Sequence, residues 1–379
     1  MRHVFLILII AASFAASAAF AEEPRFSTYH EVATVLVDQK ISNNVTASVA
    51  LQTTSLKEFQ VPPELDAKIR NNTDIVAVLI TNQDQCVLGV QDQICVMVNV
   101  KRVQGEGGIK AAQEKAKLAG DSLISDINSA FDLKTKFHSV FIHYDDKTNQ
   151  ALDTGGDVSG AGTVSAVYTA PMQSTDFMYD RISTILIPKQ IRSMGGFYNL
   201  AKNLSVDDES KMTFAILPEP QGSIMQLKVS KDYPHTARDM QRINPLEYFK
   251  TDTIKKSDYF SVGFFPLNSL VHVVILPAGN STSIHAQNVL DTTIKNGEKI
   301  PADLTKNGWF FDESGAALEA IYLFGEGKSA GAQDLTLSLE SGKPIFKSAN
   351  YDETYIIIII GAASAGAAVF FLRGIKKKN

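Results

Sequence analysis

The chain has 379 residues, 45% of them hydrophobic, and a formal net charge of −5 at pH 7. Five of its 36 basic side chains lie in the two apolar ends. The 333 residues between them, 22–354, therefore carry 31 basic against 41 acidic side chains, a net charge of −10. Proteins that bind nucleic acids need basic surface to neutralise phosphates, so this balance argues against a nucleic-acid partner. The length is typical of two or three domains.

Residues 1–21 have the pattern of a secretory leader. Arg2 and His3 precede an apolar run, and Ala19 and Ala21 form an A-x-A cleavage site before the polar residues that follow. This order of charge, apolar run and small residues predicts a signal peptide. An uncleaved N-terminal anchor is the alternative, because 4–21 is nearly long enough to span a membrane.

Residues 355–372 predict one transmembrane helix. They contain no charged side chain, and the basic tail 373–379 follows directly. At 1.5 Å per residue such a helix is about 27 Å long, close to the thickness of a hydrocarbon core. The positive-inside rule places the tail in the cytoplasm and the rest of the chain outside. We therefore expect a single-pass protein of the cell membrane.

Small residues in the predicted span recur at intervals of four. Such spacing allows two helices to approach closely in a bilayer, so the span is a candidate surface for pairing with another membrane or envelope protein. The alternative is that small residues are merely tolerated in a span. The residues concerned are Gly361, Ala362, Ala365 and Gly366.

The two cysteines, Cys86 and Cys95, predict a structural disulfide. Outside the membrane they are expected to be oxidised, and a hairpin that turns at Val90 and Gln91 would place them opposite each other. Closing so short a loop contributes about 3 kcal/mol at best. A metal or redox pair is the alternative, but the spacing fits neither zinc nor thioredoxin-like sites.

The first half of the chain predicts an α+β domain over 22–170. Alternating or continuous apolar runs indicate strands, and a buried stripe with a period of 3.6 indicates a helix over 109–130, which Gly120 weakens slightly. The predicted strands are 30–38, 45–52, 74–81, 95–103, 137–143 and 163–169, and a short helix is predicted over 64–70.

The second half predicts a different organisation. Short linking helices are expected over 171–205, followed by a mostly antiparallel, sandwich-like β domain over 206–345 and a stalk over 346–354. The predicted fold class is therefore α+β, with a disulfide-closed hairpin in the first domain. The predicted strands of the second domain are 211–217, 225–230, 259–265, 270–276, 318–324 and 334–340.

No residue pattern identifies a catalytic site. His138 and His143 share a predicted strand at odd spacing, which would put them on opposite faces, and His272 alternates with core residues. No serine lies in a G-x-S-x-G turn. The sequence therefore favours a non-enzymatic protein, with an extracytoplasmic hydrolase assembled from distant residues as the alternative.

One polar loop contains oxygen ligands of the kind that calcium prefers. The spacing lacks the glycine and the distal glutamate of an EF-hand, so an unliganded loop is the competing interpretation. Calcium is the one cofactor that the sequence suggests, for a calcium-dependent binding module. The candidate ligands are Asp145, Asp146, Asn149, Asp153 and Asp157.

Four asparagines begin N-x-[ST] sequons, which are acceptors of N-linked glycans in exported proteins. A chain of this length also contains such triplets by chance. The candidates are Asn44, Asn71, Asn203 and Asn280.

Three stretches, together with the two apolar ends, carry a resemblance. They are ITNQDQCVLGVQDQICVMVNVKR (80–102), AGDSLISDINSAFDLKTKFHSVFIH (119–143) and DYFSVGFFPLNSLVHVVIL (258–276). Over most of its length the chain resembles membrane-anchored surface proteins of ammonia-oxidising archaea, a group without an assigned activity. The resemblance implies a location and no functional residue. We therefore expect an extracytoplasmic ectodomain that binds or scaffolds other molecules at the cell envelope.

Overall fold

The computed structural model describes sixteen stretches of the chain. The remaining residues, which include both apolar ends, are outside the described part. The described stretches are 29–38, 44–54, 61–82, 93–102, 108–143, 162–172, 174–186, 196–219, 222–234, 242–255, 269–276, 282–295, 298–303, 306–312, 317–324 and 329–341.

The chain folds into a mixed α+β structure that is rich in sheet, as the sequence predicts. The helices are α1 (Pro63–Asn71), α2 (Gly108–Phe131), α3 (Thr175–Leu186), α4 (Phe197–Ser205), α5 (Pro245–Tyr248) and α6 (Ala332–Leu335). The strands of the first half are β1 (Tyr29–Asp38), β2 (Asn44–Thr54), β3 (Ile75–Thr81), β4 (Gln93–Arg102), β5 (Lys136–His143) and β6 (Gly162–Pro171). Those of the second half are β7 (Lys211–Leu217), β8 (Ile224–Pro234), β9 (Arg242–Ile243), β10 (Thr253–Lys255), β11 (Ser269–Leu276), β12 (Thr282–Ala286), β13 (Thr292–Lys295), β14 (Glu298–Pro301), β15 (Gly308–Asp312), β16 (Leu318–Leu323), β17 (Ser329–Gly331) and β18 (Leu337–Ser341).

The chain divides into two compact units that are interleaved in sequence. Unit one comprises the described residues within 29–52, 196–210 and 228–341. Unit two comprises the described residues within 53–186 and 211–227. This division differs from the consecutive domains 22–170 and 206–345 that the sequence suggests.

Unit two contains an antiparallel sheet with helices α2 and α3 packed against it. Its strands lie in the order β7-β3-β4-β6-β5. Valines such as Val78, Val96 and Val98 are completely buried at 0% exposure. The predicted stripe of α2 is buried as well, because Ala112, Ala116, Ala119, Leu123 and Ile127 are all in the core. This helix packs against β4, β5 and β6.

Unit one contains a mixed sheet in the order β15-β16-β11-β1-β2-β8. Strands β1 and β11 pair in parallel, with Val35 opposite Val273, and both of these valines are 0% exposed. Helix α4 packs against β1. A chain of edge-on aromatic contacts joins Trp309, Tyr322, Phe324 and Phe197, with ring centroids 5.1–5.9 Å apart. Aromatic pairs in this geometry add stability beyond their buried area.

Two features of the second half were not expected. Most of its strand pairs are antiparallel, in agreement with the prediction, but β11 is also paired in parallel with β1 from the opposite end of the chain. The sandwich-like arrangement of 206–345 stays a prediction. The predicted strand over 334–340 begins later than expected, because Leu335 ends the short helix α6. The alternation of leucines in the sequence does not by itself distinguish a buried helical turn from a strand.

The hairpin of β3 and β4 has a different register from the one expected. Cys95 lies opposite Thr81 on β3 and opposite Thr169 on β6. This register differs from that of a ladder that turns at Val90 and Gln91. Cys86 is outside the described residues, so these contain no cysteine pair, and the disulfide itself stays a prediction.

The predicted leader 1–21, the strand over 259–265, the stalk and the transmembrane segment 355–372 lie outside the described residues. Within the described stretches, no helix is both long enough and apolar enough to cross a membrane.

Candidate binding surface

An exposed aromatic ring marks the outer end of the sheet in unit two. Phe137 on β5 is 43% exposed. Its ring meets the ring of Tyr168 on β6 at 72°, with centroids 5.7 Å apart. The Nζ atom of Lys117, on α2, lies 4.7 Å from the centroid of the Phe137 ring. We call Lys117, Asp121, Phe137, His138 and Tyr168 the Phe137 surface.

A β-bulge sets the direction of the side chains on β5. Phe137 pairs with Tyr168 and Ser139 pairs with Val167, so His138 is an extra residue between them. Strand β5 is the last in the order of this sheet. Bulges on edge strands redirect side chains and hinder further strand pairing. The bulge therefore presents Phe137 and His138 side by side on an edge that is not suited to strand addition.

Tyr168 and Asp121 hold the Phe137 surface in place. The hydroxyl of Tyr168 donates a hydrogen bond of 2.7 Å to Oδ1 of Asp121, and Lys117 donates to Oδ2 of the same carboxylate. The bond from Lys117, followed by that from Tyr168, keeps the pKa of Asp121 below its usual value. Burial, with a smaller effect of Asp121, raises the pKa of Tyr168. At neutral pH the surface thus presents a fixed carboxylate, which is held by the neutral phenol of the buried Tyr168.

The close approach of α2 to β6 depends on Gly120. A Cβ atom at this position would lie 2.5 Å from the hydroxyl oxygen of Tyr168 and 3.0 Å from Cβ of Ala166. The glycine that weakens the helix prediction is therefore the residue that makes room for the Tyr168 ring.

A second exposed ring in unit two has the same kind of support. Phe177 on α3 is 40% exposed, and the guanidinium carbon of Arg181 lies 5.2 Å from its ring centroid. Arg181 also forms an ion pair with Asp132, just after α2. Both exposed rings are thus covered by a cation that a carboxylate holds in place.

His138 and His143, which share a predicted strand, both lie on β5. Nδ1 of His138 and Oγ of Ser139 are 2.7 Å apart, within hydrogen-bond distance, on an exposed part of the strand. A bulge at His138 interrupts the regular pairing of β5 with β6, and the side chain of His143 is outside the described part of the chain. A base beside a hydroxyl is therefore present, but at the surface.

His272 is half-buried in unit one, and its Nε2 lies 3.3 Å from Oε2 of Glu319 on the neighbouring strand. Within the described stretches, no group of three or more His, Cys, Asp or Glu side chains has the geometry of a metal site. The calcium candidates Asp145, Asp146, Asn149, Asp153 and Asp157 are outside these stretches. So are the helix-pairing residues Gly361, Ala362, Ala365 and Gly366.

Two titratable groups with shifted pKa values were not found from the sequence. Burial raises the pKa of Glu219, between β7 and β8, to about 7. Burial lowers the pKa of Lys228 on β8 to about 8, an effect that Asp232 partly offsets. Glu219 precedes a proline-containing turn and Lys228 alternates with core residues, and neither pattern signals burial of a charge.

Comparisons with known proteins identify no family for this chain. No family model matches the chain, and no curated protein matches it. One solved structure, that of baculovirus P35, aligns with 83% of this chain and 91% of its own at 9% identity and a TM-score of 0.12. A similarity this low carries no structural or functional argument.

Proposed function

We propose that the chain is a membrane-anchored extracytoplasmic protein whose ectodomain binds or scaffolds other molecules at the cell envelope without catalysing a reaction. The predicted leader, span and basic tail support this location, as does the resemblance to surface proteins of ammonia-oxidising archaea. A disulfide between Cys86 and Cys95 is part of the proposal, because thiols outside the membrane are usually oxidised.

The Phe137 surface is the observation that carries the proposal. Its exposed ring is held by Tyr168 and Lys117 before any partner arrives. Ordering a side chain at an interface costs about 0.5–1.5 kcal/mol, and a ring that is already ordered avoids most of that cost. Aromatic side chains, phenylalanine among them, are also enriched at protein interfaces. A protein partner is therefore the ligand that this surface fits best.

Truncating the ring tests this function. In the full chain in its native membrane, Phe137→Ala is expected to weaken association by about 2 kcal/mol, roughly thirtyfold in Kd, because it removes the ordered ring. The measurement is quantitative cross-linking of the intact membrane, followed by isolation of the chain and titration of the purified partner that it yields.

Ile294→Ala is the matched control, because Ile294 is 81% exposed and lies on β13 of unit one. It should leave binding unchanged. A chain that stays monomeric and yields no cross-linked product, or equal binding by Phe137→Ala and wild type, contradicts the proposal.

The His138–Ser139 contact favours one second candidate, a serine hydrolase. A hydroxyl within hydrogen-bond reach of a base is the minimal arrangement for nucleophilic catalysis. In that case a fluorophosphonate probe should label Ser139 in the full chain, Ser139→Ala should abolish the label, and His138→Ala should slow labelling by about 10²–10⁴-fold. Absence of labelling at Ser139 under conditions that label a known serine hydrolase removes this candidate.

A further inference from the structure

N-linked glycosylation places two requirements on a sequon. The amide nitrogen of asparagine must reach the anomeric carbon of a lipid-linked oligosaccharide, and the hydroxyl two residues later must be accessible to the transferase. A bond forms between Nδ2 and the sugar, the bond to the lipid phosphate breaks, and the nitrogen loses one proton. When the folded chain is the acceptor, both groups must therefore lie at its surface.

The sequon at Asn203 meets neither requirement. Nδ2 of Asn203 donates a hydrogen bond of 3.0 Å to the carbonyl oxygen of Phe249. Ser205 is 0% exposed, and its hydroxyl donates to the carbonyl oxygen of Lys202 at 2.8 Å. The sequon lies within α4, and both of its polar side chains form hydrogen bonds inside the fold.

The sequon at Asn44 does not meet the second requirement, a free hydroxyl two residues after the asparagine. Asn44 begins β2, and Val45 is 0% exposed in the core. Oγ1 of Thr46 donates a hydrogen bond of 2.6 Å to Oδ1 of Asp232 on β8. This hydroxyl is partly exposed, but it is engaged with a carboxylate on the neighbouring strand β8.

The sequon at Asn71 meets both requirements. Asn71 is the last residue of α1, and both Asn71 and Thr73 are exposed. Asn72 between them shapes the turn that leads into β3, because its Oδ1 accepts a bond of 3.2 Å from the amide of Asp74. The triplet therefore projects from the end of a helix into a turn, with its acceptor amide and its hydroxyl both at the surface.

We infer that Asn71 is a glycan acceptor of the folded chain and that Asn44 and Asn203 are not. The inference goes beyond the proposed binding function and depends on the extracytoplasmic location. It assigns a modification to the end of α1, in unit two, and leaves β2 and α4 of unit one unmodified at Asn44 and Asn203.

The test uses the full chain, with its leader, isolated from the membranes of an organism that performs N-glycosylation. Glycopeptide mass spectrometry is expected to find the glycan on Asn71 in the wild-type chain and in Asn203→Gln. Thr73→Ala keeps Asn71 but removes the hydroxyl, so occupancy of Asn71 should fall to background. Thr73→Ser restores the hydroxyl and should restore the glycan, which separates loss of the sequon from loss of folding.

Three results would overturn the inference. An unmodified Asn71 in the wild-type chain, a glycan on Asn203 or Asn44, or a glycan on Asn71 that persists in Thr73→Ala each contradicts it. A failure of this kind leaves the binding function of the Phe137 surface untouched, because the Phe137→Ala experiment reports on a different part of the surface.

Discussion

Gly120→Ala is expected to destabilise the folded chain by about 1–3 kcal/mol, the usual cost of overpacking a core. In an open helix the same change stabilises by about 1 kcal/mol, because alanine is the better helix former. Here the added Cβ would lie 2.5 Å from the hydroxyl oxygen and 2.8 Å from Cε2 of Tyr168. Tyr168 is 1% exposed, so its ring has little room to move. Urea unfolding of the two chains measures the difference.

Ser125→Ala provides the control for this experiment. Ser125 is exposed on the same helix, so alanine there raises helix propensity without meeting a neighbour. We expect Ser125→Ala to be neutral or slightly stabilising. If Gly120→Ala also stabilises the chain, the close approach of α2 to Tyr168 is not a feature of the folded protein.

Gly120→Ala should also alter the Phe137 surface. The Tyr168 ring supports the Phe137 ring and donates to Asp121, so a displaced Tyr168 alters both. A Gly120→Ala chain that still folds should therefore bind a partner more weakly than Ser125→Ala does. This ties stability and binding to one contact between a helix and a strand.

The elements themselves could be predicted from the sequence wherever burial is periodic. The stripe of α2 and the alternating strand β1 were found because each buries one face of a regular element. Strand β7 was predicted with both of its boundaries correct. The parallel pairing of β1 with β11 could not be predicted, because nothing local distinguishes one valine-rich strand from another as a partner.

The Phe137 surface could not be predicted for the same physical reason. Tyr168 and Asp121 are 47 positions apart, and their contact depends on how β6 lies under α2. The bulge at His138 has no proline or glycine to mark it. Gly120 was the one local signal: a glycine inside a long helix is costly and indicates that another group comes close. In this structure that group is Tyr168.

Glu219 is expected to make the stability of the chain fall as the pH rises from about 4.5 to about 7. Burial raises the pKa of this carboxyl from 4.5 to about 7 in the folded chain, and its Oε1 is buried without a hydrogen-bond partner among the described residues. Folding therefore takes up a proton between these pH values, and the uptake stabilises the folded state at the acidic end. Above pH 7 the charged carboxylate has lost this contribution.

Glu219→Gln should remove this dependence and stabilise the chain at pH 8. The side chain is only partly buried, so solvent reduces the effect, and we expect about 1–2 kcal/mol. Unfolding free energies at pH 5 and pH 8 measure it. Glu114→Gln, which replaces an exposed carboxylate on α2, is the matched control.

Comparing these two variants shows whether Glu219 is the source of the pH dependence of stability. If Glu219→Gln flattens the change in stability between pH 5 and pH 8 and Glu114→Gln does not, the buried carboxyl is the source. If both variants retain the wild-type slope, Glu219 is solvated and its pKa is not raised by burial. Ser223 in the same turn is 0% exposed, and its hydroxyl also lacks a partner among the described residues. The turn between β7 and β8 thus buries two polar groups at a cost to stability, and protonation of Glu219 removes the cost of burying its charge.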